Sequence, residues 1–190
     1  NRRFVAGESS IAAHISPERR NELVSAQEPF AIILGCSDSR VPAELVFNQG
    51  LGDLFVVRVA GNIAAPSQIG SIEFAAASFG TRLVVVLGHS RCGAVRATLR
   101  EIRRPAAPAA GNLSPIIDRI RPAVEGLVAE GLDGEELVRR AVRANVRTAT
   151  ERLRGSELLS ELGRQDGLLV AGAEYSLTTG LVDFFDLPRS

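Results

Sequence analysis

Four short apolar runs punctuate the chain, at residues 30–35, 54–59, 83–88 and 168–173. None alternates polar with apolar, which predicts strands buried on both faces of a parallel sheet. Between them apolar positions recur at helical spacing. Ser16-Pro17-Glu18 is an N-cap followed by Pro, opening a helix expected to reach about Ala26. An Ala-rich helix is predicted over 68–79, stopped by Gly80, and an amphipathic one over 92–103. Ser114-Pro115 opens another that runs past Val128, and Asp133 opens a long one. In that last helix Leu137, Val138, Ala141, Val142, Val146, Ala149 and Leu153 form the apolar side, with arginines opposite. Residues 105–111 are rich in Pro and Ala and read as a loop. Near the end, Gly180 separates Tyr175-Ser176-Leu177 from Leu181-Val182-Asp183-Phe184-Phe185, a hairpin ending in an antiparallel edge strand. Strands alternating with helices predict an α/β fold, with a mostly parallel central β-sheet flanked by helices and a C-terminal antiparallel edge strand.

Composition narrows the function. At 190 residues, 45% hydrophobic and 23% charged, the chain suits one domain over 1–190 with a sizeable core. Basic and acidic residues number 22 each, so a nucleic-acid partner is not indicated. Every basic residue is Arg, which removes lysine Schiff-base and P-loop chemistry. There is no Met, so the front end is expected to be clipped. No apolar run is long enough for a transmembrane helix and no signal peptide is visible, which gives a cytoplasmic expectation. Two cysteines do not make a disulfide framework.

In an open α/β sheet, sites form beyond the carboxyl ends of strands. The first strand ends Gly35-Cys36-Ser37-Asp38-Ser39-Arg40. In an extended segment Cys36, Asp38 and Arg40 share one side. The third ends Gly88-His89-Ser90-Arg91-Cys92-Gly93 and passes directly into a helix. Two thiolates and one imidazole converging there make a zinc site, and a helix N-terminus favours the Cys92 thiolate. Asp38 or a water completes the set, with Arg40 competing for that carboxylate. Two decoys fail. Gly50-x-Gly52 lacks a third glycine and precedes a strand, and Cys92 stands where a nucleophile elbow needs its last glycine.

The paired motifs Cys36-Ser37-Asp38-Ser39-Arg40-Val41-Pro42 and Gly88-His89-Ser90-Arg91-Cys92-Gly93, 53 residues apart from Cys36 to His89, resemble the β-class carbonic anhydrases. Arg58-Val59-Ala60-Gly61-Asn62 and Gly172-Ala173-Glu174-Tyr175 extend the likeness, and Asn1-Arg2-Arg3-Phe4-Val5 is similar to the end of the family's N-terminal helix. The resemblance implies one Zn²⁺ per chain on Cys36, His89 and Cys92, with Asp38 as the fourth ligand in a closed state. It implies an Asp38–Arg40 catalytic dyad, reversible hydration of carbon dioxide to bicarbonate, and a homodimer or dimer of dimers. Gly93, Arg58 and Asn62 are candidates for touching substrate or bracing the site. One subgroup binds an inhibitory bicarbonate through a Trp–Arg–Tyr set. Arg58 and Tyr175 match two members, but Ile33 stands in the Trp position.

Two rivals remain at this level. One is hydrolysis of carbon disulfide or carbonyl sulfide on the same scaffold. The other is a non-catalytic zinc-binding or regulatory domain of a larger protein, against which the Asp38–Arg40 pair argues. His14, Tyr175 and the arginine face over 139–154 read as a surface residue, a core or interface residue, and a solvated or interface face.

Overall fold

The computed structural model describes residues 1–8, 15–104 and 111–187. His14 and nearly all of the Pro/Ala-rich loop lie outside the described residues. The elements run α1 (Arg2–Val5), α2 (Pro17–Glu22), β1 (Ala31–Gly35), α3 (Ala43–Phe47), β2 (Leu54–Arg58), α4 (Pro66–Ser78), β3 (Leu83–His89) and α5 (Gly93–Arg103). They continue with α6 (Ser114–Ala129), α7 (Gly134–Arg154), α8 (Glu157–Asp166), β4 (Leu169–Tyr175) and β5 (Val182–Asp186).

The five strands form one sheet in the order β2-β1-β3-β4-β5. The first three pairings are parallel, and β4–β5 is antiparallel. The expected α/β fold and its antiparallel edge are therefore present. One strand departs from the pattern. β2 is only half-buried because it lies at the outer edge, whereas β1 is buried throughout.

Alternation along each strand divides the core between two faces. Ile32, Leu34, Val84, Val86 and Val170 face α4, α7 and α8. Ala31, Ile33, Val85, Leu87, Ala173 and Tyr175 face the other way. That second side meets Phe4 of α1 and Phe47 of α3, and α1 and α3 are only four and five residues long. Phe30 and Phe184 stay largely exposed beside it, at 55% and 44%. α5 and α6 stack beside α7 in a third apolar group that reaches Cys36 and Cys92.

Close approach of α7 to the sheet depends on Gly88, where a Cβ would lie 2.5 Å from Cγ2 of Val146. The arginines of α7 do more than face solvent. Arg143 bridges Glu174 of β4 and Asp183 of β5, and Arg154 pairs with Asp186. Together they fasten the edge hairpin to the helix. The α2 helix stops at Glu22, short of the expected Ala26. None of its residues is buried, so no core contact extends it.

Candidate metal centre

β1 and β3 are adjacent and in parallel register, with Gly35 opposite Leu87. Their carboxyl ends therefore lie side by side, and the motifs that follow them meet. Arg91 takes a left-handed φ of 59°, a tight reversal between His89 and Cys92. Cys92 is the N-cap of the 11-residue α5, where the partial positive charge of the helix end favours thiolate.

The donor atoms of Cys36, His89 and Cys92 all lie within 4.8 Å of one another, and all three residues are buried. Nδ1 of His89 faces the Ser90 carbonyl at 3.0 Å, which assigns the ring proton to Nδ1. Nε2 is then a bare lone pair, and it has no hydrogen-bond partner. A buried, orphaned imidazole nitrogen beside two thiols is costly unless it binds something. Two sulfurs and one imidazole suit zinc, and an imidazole held at its other nitrogen is the usual arrangement of a metal-binding histidine. The residues present thus fit a metal ion. Both cysteines are free thiols. Hydrogen bonding from the Cys92 thiol holds Cys36 well below the ordinary thiol range, aided by the Gly61 N–H, while the same bond and burial push Cys92 up.

Asp38 stands at the rim of the cluster, with Oδ2 3.8 Å from Nε2 of His89. Arg40 grips it through three donors, the backbone N–H at 3.0 Å and Nε at 2.9 Å to Oδ1, and Nη2 at 2.7 Å to Oδ2. These bonds hold the Asp38 carboxyl far below the usual carboxylate range, so it is ionised. The fork turns the carboxylate toward the guanidinium. Arg58 sits one layer back. Its Nε donates to the Cys36 carbonyl at 3.1 Å and its Nη2 to the Asp38 carbonyl at 2.8 Å. It braces the very segment that carries the first donor and the carboxylate.

Asn62 is buried in a left-handed conformation at φ 44°, with Nδ2 unpartnered. Gly93 opens α5, and a Cβ there would meet nothing within 4 Å. Ile33 lies buried on the sheet face turned to α1 and α3, and the Tyr175 ring packs 6.3 Å from that of Phe4. Two residues escape a reading of the sequence. Gly61 donates its N–H to Sγ of Cys36 at 3.3 Å, and Asn145 of α7 donates to the Gly61 carbonyl at 2.8 Å. The available signal is Asn145 itself, an amide on a buried helix stripe otherwise made of Leu, Val, Ala and one Thr.

A mostly parallel sheet whose adjacent inner strands β1 and β3 end in a thiol–imidazole–thiol cluster beside an ionised carboxylate is an α/β fold with a possible metal site. Comparison with known proteins gives the family. The family model described as "Carbonic anhydrase" matches residues 31–182. A carbonic anhydrase 2 of Mycobacterium tuberculosis is 39% identical over 181 residues, covering 95% of this chain and 85% of the relative. A carbonic anhydrase of Mycolicibacterium smegmatis is 46% identical over 124 residues, covering 65% of this chain and 59% of the relative. Among solved structures, a tetrameric β-carbonic anhydrase of Sordaria macrospora matches with a TM-score of 0.83 and 25% identity, over 97% of this chain and 94% of that one. The chain belongs to the carbonic anhydrase family, in its β class.

Proposed function

We propose that the chain catalyses the reversible hydration of carbon dioxide to bicarbonate and a proton, using one Zn²⁺ held by Cys36, His89 and Cys92. The observation that carries this reading is the buried three-donor cluster with a bare Nε2, set against the carboxylate forked by Arg40. A zinc ion in such a site acts as a Lewis acid and supplies a nucleophilic oxygen at neutral pH. The protein residues do the rest. Asp38, ionised, accepts a hydrogen bond and so orients the attacking group. Arg40 withholds that carboxylate from the open side of the donor cluster, where it would otherwise serve as a fourth ligand. Arg58 fixes the backbone that carries Cys36 and Asp38, and Gly93 and Asn62 are the further residues expected to touch substrate or brace the site.

Stopped-flow hydration of carbon dioxide by metal-loaded protein tests the reading. Turnover on carbon disulfide or carbonyl sulfide with none on carbon dioxide would replace it with the hydrolase alternative. Turnover on none of the three would leave a non-catalytic metal domain.

We propose that residues 1–190 make one domain that pairs as a homodimer or dimer of dimers. The thinly covered sheet face, with Phe30 and Phe184 exposed, supports association. No helix among the described residues is long and apolar enough to cross a membrane. Free thiols as the donor set fit a reducing, cytoplasmic location.

A further inference from the structure

Asn145 is buried on α7 among Ala141, Val142, Val146 and Ala149. An amide in such a place is costly unless it is bonded. Its Nδ2 reaches across 84 positions of sequence to the Gly61 carbonyl, at 2.8 Å. Gly61 takes φ 71° in the short turn Ala60–Asn62. A Cβ there would lie 2.8 Å from Cδ1 of Ile120 and 3.1 Å from Cβ of Ala94, so the turn is wedged between α6 and α5. From that wedge the Gly61 N–H points at Sγ of Cys36, at 3.3 Å.

We infer that Asn145 is a positioning residue that, through the Gly61 peptides, fixes the N–H···S bond on Cys36 and so sets how strongly that sulfur donates to a bound metal. The inference rests on the metal-site reading above. The logic is one of backbone freedom. Remove the Asn145 amide, and the Gly61 carbonyl becomes an unpaired acceptor facing an apolar helix. Glycine is the residue best able to rotate in response. When the Gly61–Asn62 peptide turns, a compensating change in φ at Gly61 turns the Ala60–Gly61 peptide as well and carries its N–H off the sulfur. A hydrogen bond to a thiolate withdraws charge from it, so its loss makes Cys36 a more electron-rich ligand.

The test uses the full chain loaded with cadmium-113 or with cobalt(II). In the wild type, the Gly61 amide proton should show scalar coupling to cadmium through Sγ of Cys36. Asn145→Leu, matched in size but without the donor, should lose that coupling. Its cobalt form should shift the sulfur-to-metal charge-transfer band to lower energy. Asn145→Ser, smaller and polar, is expected to do the same and serves where the Leu variant does not fold. A purely structural Asn145 would lower the melting temperature and leave both spectra unmoved, and that outcome overturns the inference. Absence of the coupling in wild-type protein also overturns it, whatever the variants do. A chain that takes up none of these metals refutes the metal site and this inference together, whereas uptake without coupling refutes only the role of Asn145.

Discussion

Under the proposed function Asp38 would have two claimants, a guanidinium and a bound metal, and Arg40 would decide between them. Arg40→Ala leaves the carboxylate with the metal as its strongest remaining partner. Carbon dioxide hydration should then fall by more than about 10²-fold with zinc still bound. Asp38→Ala opens the same position but loses the orienting acceptor, so activity about 10²- to 10⁴-fold reduced should survive. Paired kinetics and elemental analysis on the two variants check this, and near-normal turnover by zinc-bound Arg40→Ala would reduce Arg40 to a structural ion-pair partner. Wild-type protein purified without chelator should hold about one zinc per chain, and Cys36→Ser should hold far less. These residues are legible in the sequence because each sits within a few positions of the end of an apolar run, where strand geometry fixes which side chains share a side. The Gly61–Asn145 contact is not legible, since its partners meet only once the turn after β2 is packed against α7. Arg58 is half-legible. Its position next to the turn is plain, but its bonds to two carbonyls are a matter of backbone placement that no residue pattern encodes.

The long, strongly patterned elements match expectation. α7 has an eight-residue buried stripe, and Asp133 caps it as read. α3 and α8 were not anticipated, for a physical reason. α3 buries only Ala43 and Val46, and α8 only Leu159, so neither has a stripe long enough to set a period. Local capping holds α8 instead, through Ser156, whose Oγ accepts from the Leu159 N–H and donates to Glu73. Ser156→Ala should cost about 1 kcal/mol in denaturant unfolding. The Asp133 cap yields a pH dependence. Arg103 first, then the Gly134 N–H, hold its carboxyl below the ordinary value of 3.8. A depressed carboxylate contributes stability above its unfolded value and loses it as pH falls through the folded one. Wild type should therefore exceed Asp133→Asn in stability near neutrality, by a small margin because the pair is exposed. The margin should close below about pH 4, as read from unfolding midpoints over an acid series.

At the scale of the whole molecule the two sheet faces are unequal. One carries three helices of ten residues or more, and the other carries α1 and α3. Phe30, Phe47, Leu54 and Phe184 line a cleft on the thin side. Placing a charge there, as in Phe184→Asp, should shift light-scattering mass toward monomer while the far-ultraviolet dichroism stays native, and a wild type already monomeric at micromolar concentration would refute the assembly. The parallel pairing of β1 with β3 also bears on time. Cys36 follows β1 and His89 ends β3, so the three donors cannot assemble until a crossover of some fifty residues has closed. Such non-local pairing is slow, and a ligand that needs it finished cannot hasten it. A metal held by all three donors would then act almost wholly as a brake on escape from the native basin. Chelation should accelerate unfolding and leave the refolding limb of the chevron nearly where it was.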